Sequence, residues 1–162
     1  MFNEDVLDFI KIKEELASHC SSIIAKEMAL ALEPMTSREK IQEALDETAE
    51  ALRSWQTEIE QPLGGTRDIR ESCKKSRKDF VLSREAIWDV YITIGAYKRM
   101  AKFFRVKYME YPLLSLWMQD MPNMDRVEHR LKRVFDDKGE LLDTASPKLA
   151  SLRNTISKTR DR

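Results

Sequence analysis

The sequence predicts an all-α protein, a helical bundle of about six to eight helices. Apolar residues recur at three- and four-residue spacings in one segment after another, which is the period of an amphipathic helix. No run of alternating apolar and polar residues is long enough to propose a sheet. With 162 residues the chain is long enough for one domain with its own core.

Three helices are predicted before the first glycine. Phe9 and Ile10 mark the first, and Ile23 and Met28 mark the second, which must end before Pro34. The third begins with a capping box formed by Thr36 and Glu39. Its apolar stripe consists of Ile41, Ala44, Leu45, Thr48, Leu52, Trp55 and Ile59. Its opposite face is predicted to be a solvated acidic surface of Glu43, Asp46, Glu47 and Glu50.

The second half continues with helices around one long central helix. A short basic helix covers Glu71 to Asp79, and Ser83 caps the long helix, which runs to about Met109. Shorter helices are predicted to start at Tyr111 and to cover Met124 to Phe135, followed by a tight turn at 136–139.

The last helix is predicted to leave the core. Ser146 and Pro147 supply its N-cap and first residue. Its sparse apolar stripe of Leu149, Leu152 and Ile156 is typical of an exposed arm or a paired coil. We therefore divide the chain into a helical core, 1–145, and the start of a helix that leaves this core, 146–162.

Charge is distributed unevenly along the chain. The equal totals of 28 basic and 28 acidic residues hide a net charge of −8 in 1–66 and of +8 in 67–162. This asymmetry indicates a polyanionic partner, attraction between the halves or attraction to a second copy, although ordinary solvated helix surfaces would also give it.

The candidate nucleic-acid contacts are the residues of the densest basic run, Lys98, Arg99, Lys102, Arg105 and Lys107. Alternatively, their long side chains cover the rim of the core.

No catalytic, cofactor or metal site is predicted in these residues. The phosphate-binding pattern Gly-x-x-x-x-Gly-Lys-Ser/Thr is absent from the sequence. His19 and Cys20 are adjacent, so on a helix they point about 100° apart and make a poor metal pair.

Three features of the sequence bear on localisation. No apolar run approaches the length of a membrane span, the first residues are acidic, and only two cysteines occur. We therefore expect a cytoplasmic protein with reduced thiols.

A glycine-containing turn separates the two halves. Its predicted structural residues are Pro62, Gly64, Gly65, Arg67 and Asp68. Glycine permits positive φ where the chain reverses direction, and we expect both glycines to use it.

Several segments, in order, resemble the start of the bacterial MutS-two family. These segments are Leu7 to Ile12, Ala25 to Glu27, Leu32 to Thr36, Pro62 to Gly65, Arg67 to Ile69 and Gly139 to Pro147. The resemblance implies that the chain is the N-terminal core segment of a DNA-binding ATPase and endonuclease that lacks a mismatch-reading domain. It implies a structural coupling role for this segment. In these terms, 1–145 are the first part of a MutS-type core domain, and 146–162 are the start of a lever helix that we expect to be truncated.

For the parent protein, the resemblance implies bound ATP and Mg²⁺, a homodimer, no membrane partner, and action on branched DNA in recombination control or on stalled ribosomes and their rRNA. A free-standing helical protein–protein interaction module is the alternative.

Overall fold

The structure is a computed structural model that describes residues 8–57 and 64–160. The described residues form eight α-helices and one short 3-10 helix, with no strand, which confirms the all-α prediction. The α-helices are α1 Phe9–His19, α2 Ile23–Leu30, α3 Arg38–Thr57, α4 Arg70–Ser76, α5 Arg84–Val106, α6 Pro112–Leu116, α7 Asp125–Lys132 and α8 Pro147–Arg160. The 3-10 helix is Asp143–Ala145. The predicted stripe residue Ile59 and turn residue Pro62 lie outside the described residues.

Serine caps set several helix starts. The Oγ of Ser83 accepts from the backbone N–H of Ala86 at 3.2 Å, and that of Ser146 accepts from Leu149 at 3.1 Å, as predicted. For α3 the predicted cap is wrong by one residue, because Ser37 Oγ rather than Thr36 accepts from the N–H of Lys40, at 3.4 Å.

Two helices end earlier than the sequence predicts. The central helix α5 stops at Val106, not Met109, and α7 covers only Asp125–Lys132. In both places the chain continues in turns whose backbone donors bond to carbonyls three or four residues back, as Tyr111 N does to Lys107 O at 2.9 Å.

Helix α5 is the centre of the fold. It packs against α4, α6 and α7, and it contributes Ile94, Ala96 and Phe104 to the buried apolar residues. The Phe104 ring lies edge-on to Phe103 at 5.1 Å and to Tyr111 at 6.4 Å between centroids. These aromatic contacts tie the end of α5 to the start of α6.

A turn after α7 closes over the other end of α5. The backbone N–H of Gly139 donates to Asp136 O at 3.1 Å, and Gly139 has φ +80°. A Cβ built on Gly139 would lie 2.8 Å from the ring of Trp88, which packs edge-on against Phe135. Glycine is therefore required here both for its backbone conformation and for its lack of a side chain.

The polar face of α3, not its apolar stripe, packs against the rest of the fold. Glu50 is only 4% exposed, and its Oε1 accepts from the backbone N–H of Leu114 near the start of α6 at 2.8 Å. Ser54 is also buried, while Leu52 is 56% and Trp55 68% exposed. The prediction that the acidic face is solvated is thus wrong for Glu50, because the first turn of α6 offers an unpaired N–H that its carboxylate satisfies.

Gly139→Ala should destabilise the fold by about 1–3 kcal/mol, because it adds strain at positive φ and a clash with Trp88. Gly64→Ala is the matched control, since no atom of the described residues lies within 4 Å of its added Cβ. Urea melts of both variants and the wild type measure this. Equal stability of the two variants would show that the turn does not lie against Trp88.

Glu50→Ala should cost about 1–3 kcal/mol, because it leaves the part-buried N–H of Leu114 without its acceptor. Glu50→Gln, which keeps an oxygen acceptor, should lose less. The exposed Glu43→Ala should stay within about 0.5 kcal/mol of the wild type. If denaturant unfolding gives the same small change for Glu50→Ala and Glu43→Ala, α3 does not present Glu50 to α6.

Candidate binding groove beside the central helix

An open groove of about 1020 Å³ runs along the C-terminal half of α5. Its other wall is formed by the end of α6, the connection to α7 and the first turn of α7. Four of the five candidate nucleic-acid contacts line it, namely Lys98, Arg99, Lys102 and Arg105. The fifth, Lys107, follows α5 as its C-cap.

Acidic side chains already neutralise two of the five candidates. Lys98 Nζ donates to Asp125 Oδ1 at 2.6 Å and also to Glu128, and these bonds raise the pKa of Lys98. Lys107 Nζ lies 3.1 Å from both carboxylate oxygens of Glu110. Lys98 therefore joins α5 to α7, Lys107 pairs within its own turn, and both lysines are poorly available to a polyanion.

Arg99, another of the five candidates, contacts the glycine turn. Its Nη2 donates to the backbone oxygen of Gly64 at 3.3 Å, so it ties the glycine turn to α5. Gly65 has φ +91°, with Arg99 Nη2 3.2 Å from the position of a Cβ. Gly64 does not have positive φ, so the expectation that both glycines use that conformation is wrong for Gly64.

Lys102 and Arg105 are the cations that the groove leaves available. Both are exposed, and within the described ranges neither side chain makes a hydrogen bond or an ion pair. They lie three residues apart on one helix, so their side chains project from neighbouring positions on the same face. Two such cations suit adjacent phosphate groups, which release counterions when neutralised.

Part of the remaining groove lining is apolar. Its lining includes Tyr108, Met118, Met121, Pro122 and Met124. Unbranched methionine side chains adapt to irregular partners, and a tyrosine ring offers a face for stacking. The arrangement can bind an anionic or amphipathic partner.

The turn motif joins α2 to α4 through charged side chains. Arg70 donates to Asp68 at 2.6 Å and to Glu27 of α2 at 2.6 and 3.0 Å. The hydrogen bond from Arg70 lowers the pKa of Asp68 to about 2 and also lowers that of Glu27. Arg67 instead lies 3.9 Å from Asp89 of α5.

No metal site is assembled in 8–57 or 64–160. No group of three or more His, Cys, Asp or Glu side chains there is arranged to hold a metal ion. His19 pairs with Glu15 at 3.2 Å, and Cys20 and Cys73 are free thiols. Within those ranges, no helix has the length and apolar content to cross a membrane.

The acidic partners were not found from the sequence. Asp125 and Glu128 lie 27 and 30 residues after Lys98, and their spacing of three is the available signal that both face one way. A helix face alone does not tell which other helix it meets. The connection at 117–124 that walls the groove lacks any periodic pattern, so its role was also missed.

The described residues define an all-α helical segment with an open groove, and comparison with known proteins gives its relatives. No family model matches the chain. Endonuclease MutS2 of Geobacillus sp. (strain WCH70) is 32% identical over 160 residues, which is 97% of this chain. The protein of that name from Geobacillus kaustophilus is 35% identical over 153 residues, and that from Shouchella clausii is 30% identical over 155 residues, each covering 93% of the chain.

The chain belongs to the MutS-two family, as the motifs predicted. It spans about a fifth of the length of these curated relatives. The match therefore concerns one segment of the longer proteins.

Arg70→Gln should return the pKa of Asp68 from about 2 toward its ordinary value near 3.9. A carboxylate with a lowered pKa stabilises the fold above its unfolded-state pKa, and this stabilisation is lost as the pH falls toward 2. Carboxyl NMR titration of the wild type and the variant measures both midpoints of Asp68. Identical midpoints for Asp68 would contradict the ion cluster.

Proposed function

We propose that the chain acts as the N-terminal core segment of a MutS-two-type DNA-acting ATPase and endonuclease, with a coupling role and no active site of its own. The observation that carries this is the match over at least 93% of the chain to MutS2 proteins five times as long. ATP, Mg²⁺ and homodimer formation belong, in this proposal, to the parent protein.

Branched DNA is the proposed substrate of the parent, in recombination control, and a stalled ribosome is its second proposed target. The groove supports some contribution to nucleic-acid contact, because Lys102 and Arg105 are exposed and without ion-pair partners in the described part of the chain. The pairing of Lys98 and Lys107 with acids keeps that contribution small.

A helical protein–protein interaction module is the alternative function. The exposed apolar side chains of α3, including Trp55, favour it, since large apolar surfaces often bind partners. A chimera separates the two functions. The matched segment of the Geobacillus kaustophilus protein is exchanged for this chain, and endonuclease activity of the chimera is measured beside that of the chain alone.

The coupling role predicts an active chimera and an inactive isolated chain. A deletion of the same segment is the control and should abolish activity. A chimera that folds, by circular dichroism and sedimentation, but has no more activity than the deletion would contradict the proposed role.

The isolated chain should bind branched DNA weakly, without sequence preference and with steep salt dependence. Lys102→Ala/Arg105→Ala should reduce the slope of log K against log salt by about 2, because roughly one counterion is released for each phosphate contact. Arg77→Ala/Lys78→Ala removes the same charge outside the groove. Fluorescence titrations at two ionic strengths compare them, and an equal effect of both pairs would show that the groove is not the contact.

A further inference from the structure

The exposed face of α3 carries a regular apolar seam. Ile41, Leu45, Thr48, Leu52 and Trp55 follow one another at alternating spacings of four and three residues. All five are exposed, and the Oγ1 of Thr48 donates to Ala44 O at 2.7 Å, so its polar group is already satisfied. Alternating four- and three-residue spacing is the pattern by which one helix packs along another. We call these five residues the α3 seam.

Contacts on the opposite side of α3 keep the seam on the outside of the fold. On the other side of the helix, Glu50 bonds to Leu114 N, and Arg53 Nη2 donates to Glu110 O at 2.9 Å. Thr57 Oγ1 lies 2.7 Å from the hydroxyl of Tyr111. Rotating the helix to bury the seam would break all three contacts.

The residues beside the seam favour close approach of a second helix. They are Gln42, Ala44, Ala49, Ala51 and Gln56, none of which is charged. The small alanine side chains leave room for the backbone of a neighbouring helix. Charged residues beside such a seam usually attract or repel the partner helix, and none is present at these five positions. The surface therefore fits an amphipathic helix with an apolar seam of its own.

We propose that the α3 seam is covered by an amphipathic helix from the part of a MutS-two-type protein outside the matched segment. This inference rests on the proposed function. The relatives have about four-fifths of their length outside the match, which supplies candidate helices. A second copy of α3 is the competing occupant, and sedimentation of the isolated chain distinguishes it.

Hydroxyl-radical footprinting of the isolated chain and of the chimera with the Geobacillus kaustophilus protein tests the inference. Leu52 and Trp55 should be oxidised readily in the isolated chain and several-fold more slowly in the chimera. Phe104, buried in the described fold, is the protected reference in both.

A pair of seam substitutions gives a second readout. Leu52→Gln/Trp55→Gln should leave the melting temperature of the isolated chain nearly unchanged and lower that of the chimera clearly. Glu43→Gln, on the same helix but off the seam, should change neither.

The outcomes separate the two proposals. An active chimera with unprotected Leu52 and Trp55 overturns this inference and keeps the proposed function. Protection already present in the isolated chain, together with a doubled mass in sedimentation, makes a second copy the occupant and overturns it too. A folded but inactive chimera contradicts the proposed function, and the footprint then decides separately whether the seam is covered.

Discussion

The hydrogen bond from the backbone N–H of Leu114 to the Glu50 carboxylate determines how α3 faces the rest of the protein. It satisfies a donor in the first turn of α6, which has no partner within its own helix. Because Glu50 points inward, Leu52 and Trp55 point outward on the same helix. One buried carboxylate thus leaves an amphipathic helix with its apolar side uncovered, and the interior of the described fold is built mainly around α5.

The contacts around α5 determine which basic side chains remain available to a polyanion. The second half has a net charge of +8, yet Lys98 and Lys107 are held by acidic neighbours and Arg99 by the carbonyl of Gly64. Only Lys102 and Arg105, of the five candidates, face the groove without such a bond in the described ranges. A coupling segment that makes a small electrostatic contribution to nucleic-acid contact is consistent with this arrangement, whereas a principal DNA-binding surface would keep more of its cations available.

The helices were predictable because their signals are local. Serine caps at 83 and 146, Pro147 and the turn around Gly139 depend on neighbours within a few residues, and the structure has all of them. The burial of Glu50 and the pairing of Lys98 were missed because each depends on a helix distant in sequence. The motif resemblance identified the family, which periodicity alone does not distinguish from other helical bundles. Ends of helices such as α5 were overestimated because apolar residues continue into the following turns.

The orientation of α3 is the central claim, and nuclear Overhauser contacts in solution test it most directly. In a spectrum of the labelled 162-residue chain, the amide proton of Leu114 should show contacts to the side-chain protons of Glu50. The methyl protons of Leu52 and the ring protons of Trp55 should show no nuclear Overhauser contacts to residues of α5. Contacts from Leu52 or Trp55 to buried residues of α5, with none between Leu114 and Glu50, would mean that α3 is rotated and would contradict the account.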